Sequence, residues 1–218
     1  MTTKLIIARH GNTFTKEQTP TRVGAKTDLP LVESERGLAI GKYLQQQSID
    51  VDHVYCGPLK RHVQTAQLAC DALSFDKSKL QVNHDFNEID YGPDENKTED
   101  EVMLRLGNGD IEKGQKEIDR WNKQAISPNG WEVDVPAIKQ SWLDFGQFIE
   151  SQHTNQTTLL VSSNGTIRFA PVLTGDFEGF IAKHDIKVTT GGVCIFEKHA
   201  NEQHWRCVEW GLKPLKWV

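Results

Sequence analysis

Hydrophobic and polar positions along the 218-residue chain form blocks that predict strands alternating with helices. The predicted strands are short apolar or β-branched runs that each end at a loop, which is typical of buried strands. They cover Lys4–Ala8, His53–Cys56, Leu80–Val82 and Thr157–Ser162. Strands that alternate with helices predict an α/β protein, here a three-layer α/β/α domain with a mostly parallel sheet.

Helices are predicted after the first, second and fourth strands. The first helix lies between Asp28 and Gln47. The second follows Pro58, which suits the first helical position because its missing N–H costs nothing there. One face of this second helix is apolar at steps of four and three residues, through Leu59, Val63, Ala66, Cys70 and Leu73. The amphipathic stretch after the fourth strand is expected to kink at Pro171.

Residues 93–140 interrupt this alternation and are predicted to form a helical insertion over the edge of the sheet. Thr98 and Glu101 have the spacing of a capping box, which opens a short helix. The segment holds seven lysines and arginines against eleven acidic residues, so most of the chain's net charge of −5 lies in it. The tryptophans in or beside this segment could line a pocket, but packing the insertion against the domain is the favoured role; they are Trp121, Trp131 and Trp142. We expect one domain over residues 1–218.

Composition excludes several classes of protein. With 37% hydrophobic and 25% charged residues, the chain fits neither a disordered nor a membrane protein. The apolar run Leu5–Ala8 is too short for a signal peptide or a membrane span, so a cytoplasmic location is expected. Nucleic acid is not an expected partner, because the sequence shows no basic stripe. The four cysteines are expected to be reduced and buried, and the histidine spacing suggests neither a metal nor another cofactor.

Reactive side chains follow three of the strands at the carboxyl ends, where parallel sheets bind ligands. Arg9 and His10 come after the first strand; a guanidinium binds phosphate oxygens and an imidazole can attack phosphorus. Arg61 lies in the first turn of the helix after the second strand. Glu88 follows the third strand among apolar neighbours, so its carboxyl can have a raised pKa and act as a general acid. Each residue alone would also suit a surface or structural role, but their shared position favours a phosphate pocket.

Together these stretches resemble the histidine phosphatase superfamily, also called the phosphoglycerate mutase-like family. The resemblance spans about Lys4 to Phe169 and is carried by LIIARHGNT, TRVGAKTDLPL, GPLKRHVQTA, FNEIDYG and VSSNGTIR. The joint order and spacing of these motifs make it specific. In the third motif, Gly57 stands where serine is usual.

The resemblance implies a metal-independent phosphatase that works through a phosphohistidine on His10. Arg9 and Arg61 would hold the phosphoryl oxygens, and Glu88 would protonate the leaving oxygen and later activate water. Binding of the phosphate or the rest of the substrate is implied for Asn12, Arg22, Ser163 and Asn164. The partner would be a small phosphorylated metabolite, and the oligomeric state is left open.

One departure concerns a second histidine, which the family has five residues before the arginine of its last motif. Counting back from Arg168 gives Ser163, which can donate a hydrogen bond but brings no charge. A charge-assisted bond is worth roughly 1.5–3 kcal/mol, so a rate reduced about 10- to 200-fold is expected. Ser163→His should recover about tenfold or more of this, unless the pocket has adapted to serine. His62 is not expected to compensate, because it faces about 100° away from Arg61 around the helix.

Three functions are consistent with the sequence. The first is the phosphomonoesterase, and the second is a pseudo-phosphatase that binds a phosphorylated ligand, which Ser163 favours. The third is a phosphoglycerate mutase-type phosphotransferase. The glycolytic mutases follow R-H-G with a serine and a Trp-Asn pair, whereas this chain has Asn12–Thr15 there. The acidic insertion also suits doubly phosphorylated substrates poorly.

Overall fold

The fold is a six-stranded sheet with helices on both faces, described for residues 2–218 by a computed structural model. The strands are β1 (Thr2–Arg9), β2 (His53–Cys56), β3 (Gln81–Val82), β4 (Thr157–Ser162), β5 (Val193–His199) and β6 (Arg206–Leu212). Their order in the sheet is β3-β2-β4-β1-β5-β6. The first four run parallel, while β5 pairs antiparallel with β1 and β6 antiparallel with β5. The predicted mostly parallel α/β fold is confirmed.

Helices connect the strands and cover both faces of the sheet. The α-helices are α1 (Glu35–Gln46), α2 (Lys60–Leu73), α3 (Glu99–Leu106), α4 (Ile111–Gln124), α5 (Val135–Gln152), α6 (Asn164–Ile167) and α7 (Phe177–Lys183). Short 3₁₀ helices lie at Lys77–Lys79, His84–Phe86, Gly92–Asp94, Ala170–Thr174 and Pro214–Lys216.

Strand β1 shows why the sheet carries helices on both sides. Ile6 and Ala8 belong to a core cluster with residues of α1 and α2. Leu5 and Ile7 belong to a second cluster with residues of α5. Successive side chains of a strand point to opposite faces, so a strand that is covered on both sides needs an uninterrupted apolar run. This is the pattern that predicted the strand.

The start of the second helix differs from the predicted one, while the first agrees. Helix α1 lies between Asp28 and Gln47 as predicted and begins at Glu35. Helix α2 begins at Lys60, with Leu59 as its extended N-cap residue. The prediction of Pro58 at the first helical position was therefore wrong. Strand pairing continues one residue beyond β2, since the Gly57 N–H donates to the Val161 carbonyl, and the chain turns into the helix later.

The C-terminal part of the chain departs further from prediction. The stretch after β4 is not one kinked helix but α6, a 3₁₀ helix that Pro171 opens, and α7. The antiparallel strands β5 and β6 were not predicted. Strand β5 pairs along the whole of β1, from Thr2 opposite His199 to Ala8 opposite Val193, so residues almost 200 positions apart form this part of the sheet.

The insertion contains α3, α4 and the start of α5. Thr98 and Glu101 form the predicted capping box, each side chain accepting a hydrogen bond from the backbone N–H of the other residue. The predicted helical insertion is present, and side chains of α4 line a cavity at the carboxyl ends of the strands. Six of the eleven acidic residues of the insertion are exposed and stay hydrated, whereas Asp94 is buried.

Asp94 holds the insertion together. Its side chain is 1% exposed, accepts a hydrogen bond from Trp131 Nε1 at 2.7 Å and binds Arg105 through two bonds of 2.5 Å. We expect Asp94→Ala to lower the free energy of unfolding by about 2 kcal/mol, because two buried or half-buried donors lose their acceptor. Urea denaturation measures this. Asp94→Asn keeps one acceptor oxygen, so its free energy of unfolding should fall by less. Equal falls in the two variants would contradict this role of Asp94.

Across residues 2–218 no helix has the length and apolarity needed to cross a membrane.

All four cysteines are free. Cys56, Cys70 and Cys194 are buried as predicted, whereas Cys207 is partly exposed. Burial raises the pKa of Cys56 to about 12, which keeps this thiol protonated and unreactive.

Candidate active site

A cavity of about 630 Å³ opens at the carboxyl ends of β1 and β4. Six of the eight predicted site residues line it: Arg9, His10, Asn12, Arg22, Glu88 and Asn164. The other two, Arg61 and Ser163, are fully buried and do not belong to its lining. The topology brings these residues together, because parallel strands present their carboxyl ends at one edge of the sheet.

His10 has the geometry of a nucleophile. Its side chain is 6% exposed, and Nδ1 lies 2.7 Å from the Gly11 carbonyl oxygen. A carbonyl only accepts, so Nδ1 carries the hydrogen and the lone pair of the neutral ring is on Nε2. Burial lowers the pKa of His10 well below its usual range, and the charges of Arg61 and Arg9 lower it further. The ring is therefore neutral, as an attacking imidazole must be.

Glu88 is the acidic residue of its motif that reaches the cavity. Its oxygens accept from the backbone N–H groups of Ile89 at 2.8 Å and Gly165 at 3.4 Å. A Cβ at Gly165 would lie 2.2 Å from Glu88 Oε1, so only glycine permits this approach. Burial raises the pKa of Glu88 above its usual value, with Arg61 opposing the shift. A raised pKa suits a carboxyl to act as a general acid.

The two nearby acidic residues have other roles. Glu95 accepts hydrogen bonds from the backbone of Gly24 and the hydroxyl of Thr27, which holds the loop before α1. Asp90 pairs with Lys26 at 2.6 Å. Neither lines the cavity, so Glu88 is the better-placed proton donor.

Arg9 and Asn164 are held on the same peptide segment. Arg9 Nη1 donates to the Val188 carbonyl at 2.6 Å, and the Val188 N–H donates to Asn164 Oδ1 at 2.9 Å. Asn12 is anchored nearby, since Thr190 Oγ1 donates to its Oδ1 at 2.6 Å. The remaining donors of all three side chains are then free to bind an anion in the cavity.

Arg61 has a different environment from the one that the sequence predicts. Its guanidinium donates to the carbonyls of Val23, Gly24 and Thr27 at 2.9–3.3 Å, while its buried Nε has no partner. Arg61 thus ties the loop before α1 to the start of α2. Its charge still acts on the site, because it shifts the pKa values of both His10 and Glu88.

Several cavity residues were not predicted as site residues. Arg168 is 1% exposed, packs its guanidinium 3.8 Å from the centre of the Trp121 ring and donates to the Trp121 carbonyl at 2.7 Å. Lys187 lies on the wall as well. A charged residue inside the apolar stretch Ile167–Val172 was the sequence signal for Arg168, because charged side chains are rarely buried unless they are paired.

Helix α4 forms the outer wall of the cavity through Gln115, Ile118, Trp121 and Asn122. The wall that this helix contributes is uncharged, and Glu99 of α3 is the acidic residue of the insertion that reaches the cavity. Trp121 both packs in the core and lines the cavity, whereas Trp142 is a packing residue whose Nε1 donates to the Thr166 carbonyl.

Arg22 faces the cavity from the opposite loop. Its guanidinium lies over the rings of Tyr91 and Trp131, 5.2 and 4.9 Å from their centres. Glu99 pairs with it at 2.6 Å, and the Glu99 side chain is itself half exposed. A cation stacked on aromatic faces is fixed in orientation and can exchange an exposed partner for a ligand anion.

His62 makes a contact that the sequence did not predict. The sequence places it about 100° from Arg61 around the helix. Its ring is fully buried, with Nε2 2.6 Å from Ser163 Oγ and its centre 5.7 Å from that of His10. Arg61 and His62 are both fully buried on different sides of the first turn of α2, and neither lines the cavity.

The contact between His62 and Ser163 changes the expected effect of Ser163→His. A second imidazole in this fully buried position would overlap the ring of His62, and overpacking of this kind typically costs about 1–3 kcal/mol. We therefore expect Ser163→His to destabilise the protein and to lower activity. His62→Ala in the same chain should relieve the clash. Thermal unfolding of both variants measures this, and a fully stable Ser163→His would show that the two side chains do not compete for space.

Metal binding has no evident place in the site: within residues 2–218, no three His, Cys, Asp or Glu side chains lie close enough to hold an ion. The positive charge of the cavity comes from side chains of the protein, namely Arg9, Arg22, Arg168 and Lys187. Two carboxylates, Glu88 and Glu99, are the acidic groups on its wall.

Comparison with known proteins places this arrangement among phosphate-processing enzymes. Residues 5–213 match the family model described as histidine phosphatase superfamily (branch 1). The fold is similar to that of phosphoglycerate mutase from Bacillus anthracis, with a TM-score of 0.77 and 18% identity over 98% of this chain and 95% of that one. Mycobacterial glucosyl-3-phosphoglycerate phosphatase gives 0.73 and 16% over 97% and 100% of the two chains. Phosphoserine phosphatase from Entamoeba histolytica, in complex with 3-phosphoglyceric acid, gives 0.69 and 21% over 95% of each.

Proposed function

The chain belongs to the histidine phosphatase superfamily, and we propose that it is a metal-independent phosphatase that hydrolyses a small phosphomonoester through a phosphohistidine on His10. The free Nε2 of a neutral His10, in a cavity that Arg9 and Glu88 also line, is the observation that carries the proposal. Nucleophile, cation and acid are the three parts that phosphoryl transfer without a metal requires.

In the first step, His10 Nε2 attacks the phosphorus and the bond to the leaving oxygen breaks. The Gly11 carbonyl keeps the Nδ1 hydrogen in place and supports the ring as it becomes positive. Arg9 faces the developing charge on the phosphoryl oxygens, with Asn164 as a neutral donor beside it. Protonated Glu88 gives its proton to the leaving oxygen, and the product alcohol departs.

In the second step, a water molecule attacks the phosphohistidine. Glu88, now a carboxylate, takes a proton from this water while the bond between phosphorus and Nε2 breaks. Inorganic phosphate leaves, and both His10 and Glu88 return to their starting protonation states. The same side chain serves as acid and then as base, which matches its direct contact with the cavity and its raised pKa.

The substrate we propose is small and carries a polar or anionic group besides its phosphate. Beyond Arg9, the cavity offers Arg22, Arg168 and Lys187, more positive charge than one phosphoryl group needs. Burial lowers the pKa of Arg168 to about 10, so this guanidinium stays charged at neutral pH. Trp121 and Ile118 on the same wall supply an apolar surface for the carbon skeleton of the ligand.

The two other candidate functions make different demands on the site. A pseudo-phosphatase needs only the cations of the cavity, and the absence of Ser163 from the lining favours it over a fully active enzyme. A mutase must accept a phosphoryl group from one substrate and return it to another. Glu99 is the acidic residue of the insertion on the cavity wall, and Arg22 pairs with it, so the insertion opposes doubly phosphorylated substrates less than its net charge suggests.

The test is a panel of phosphomonoesters assayed for release of inorganic phosphate in excess chelator. It should contain p-nitrophenyl phosphate, phosphoserine, 3-phosphoglycerate and a neutral alkyl phosphate. We expect turnover that the chelator does not reduce, fastest with substrates that bear a second anionic group. Binding without turnover would replace the phosphatase with the pseudo-phosphatase. Isomerisation that outpaces phosphate release would replace it with the mutase.

A further inference from the structure

A hydrogen-bonded pair lies beside the nucleophile and has no part in the mechanism above. His62 comes from the first turn of α2, and Ser163 comes from the end of β4. Both are fully buried, and His62 Nε2 lies 2.6 Å from Ser163 Oγ. Ser163 follows directly on Ser162, which is paired with Arg9 in the sheet and accepts the backbone N–H of His10. The pair is therefore adjacent to the nucleophile.

Gly57 makes room for the imidazole of His62. A Cβ at this position would lie 2.3 Å from His62 Nδ1 and 2.3 Å from the Phe86 carbonyl oxygen. Any side chain at residue 57 would displace the ring from its contact with Ser163. The glycine, the histidine and the serine thus depend on one another sterically, although they lie on three different segments of the chain.

Core packing alone does not account for a histidine here. The Nδ1 atom of His62 is buried without a partner, and an unsatisfied buried polar group is costly. An aliphatic side chain would fill the same space without that cost. Unsatisfied groups in folded proteins call for an explanation, and function is one of the few available.

We propose that His62 is a positioning residue for phosphoryl transfer: through its hydrogen bond to Ser163 it fixes the end of β4, where the Ser162 carbonyl accepts the backbone N–H of His10. Neither His62 nor Ser163 lines the cavity, so the pair acts on the position of the nucleophile and not on the phosphoryl group directly. The rings of His62 and His10 have their centres 5.7 Å apart, which places the pair beside the nucleophile. This proposal rests on the proposed function.

The charge state of the ring agrees with this role. Burial, followed by the charge of Arg61, lowers the pKa of His62 well below its usual range. A neutral ring does not add repulsion to the nearby charges of Arg61 and Arg9.

The experiment compares His62→Leu, which removes the donor, with His62→Gln, whose amide N–H can reach the same hydroxyl. With p-nitrophenyl phosphate we expect His62→Leu to lower kcat about tenfold or more with little change in KM, and His62→Gln to retain most of the rate. A selective loss of kcat is expected because a displaced His10 attacks less well, while the cations that bind the substrate stay in place. Equal rates in the two variants, or a loss confined to KM, would overturn the proposal.

A double-mutant cycle guards against a purely structural effect. Ser163→Ala removes the hydrogen bond between the two residues while leaving His62 in place. The double variant His62→Leu/Ser163→Ala should therefore be no slower than the slower single variant. Additive losses would overturn the proposal. His153→Leu is the matched control: it also removes a buried histidine, one bonded to the Tyr55 hydroxyl at 2.9 Å and absent from the cavity lining. It should lower thermal stability and leave kcat unchanged.

Binding of vanadate and of inorganic phosphate, measured by calorimetry, separates this proposal from the proposed function. Vanadate takes the five-coordinate geometry of the transition state, so His62→Leu should weaken vanadate binding about tenfold and phosphate binding much less. This readout needs no turnover. If the wild-type chain proves inactive but shows this selective loss, the phosphatase proposal fails and the positioning role stands. Equal weakening of both anions would overturn the positioning role.

Discussion

His10→Ala is expected to lower kcat/KM for p-nitrophenyl phosphate by at least about 1,000-fold, because no other group can form the covalent intermediate. His62 is buried, and its Nε2 faces Ser163, so it cannot attack in place of His10. The fold should persist, since His10 packs at the end of β1 rather than within a core cluster. Steady-state kinetics measures the loss, and urea denaturation checks the fold.

The covalent intermediate provides the control for this result. Wild-type protein that is quenched during turnover of a ³²P-labelled substrate should retain acid-labile, base-stable label, as expected for a phosphohistidine, and His10→Ala should retain none. Arg9→Lys is a useful comparison, because it keeps the charge but loses the planar fork and should keep the label at a reduced rate. Undiminished turnover by His10→Ala would refute the mechanism.

Glu88→Gln is expected to slow alkyl phosphates about 100- to 10,000-fold, the usual range for removal of a general acid. With p-nitrophenyl phosphate the first step should lose much less, since nitrophenolate leaves without a proton. Single-turnover measurements separate the first step from the hydrolysis of the phosphohistidine, which also requires Glu88. If the rate of the first step falls by similar factors for both substrates, a group other than Glu88 donates the proton.

The pH profile of turnover should separate the role of Glu88 as the acid from that of His10 as the nucleophile. Burial raises the pKa of Glu88, so an alkyl phosphate should lose turnover as the pH rises through that raised value and the acid ionises. Burial lowers the pKa of His10, so the nucleophile stays neutral until the pH falls well below the usual range of histidine. Glu88→Gln should abolish the alkaline limb and leave the acidic one. An alkaline limb that persists in this variant would have to come from another group.

His62 shows how far sequence reasoning reaches in this protein. Its position next to Arg61 was visible, and the angle of about 100° between them was correct for a helix. The contact with Ser163 could not be predicted, because that angle says nothing about what surrounds the helix. The first turn of α2 is enclosed by the loop before α1 on one side and by the end of β4 on the other, so Arg61 bonds to the loop and His62 to Ser163.

The insertion could also be predicted only in its local structure. Its capping box was predictable, because Thr98 and Glu101 are close in sequence and their bonds are local. Its placement over the cavity depends on the packing of α4 and of Trp121 against residues distant in the chain. That packing brings Arg168 and Trp121 together at 3.8 Å, a contact between residues 47 positions apart that no local pattern encodes.

The sequence alone determined the parallel core of the sheet and the identity of the residues at its carboxyl edge. Buried strands need uninterrupted apolar runs, and parallel strands bring the residues that follow them to one edge, so Arg9, His10 and Glu88 could be assigned to one site. Only the tertiary structure decided the pairing of β5 with β1, the closure of the site by α4 and the contact between His62 and Ser163. Each of these depends on contacts between segments far apart in the chain, which no local pattern encodes.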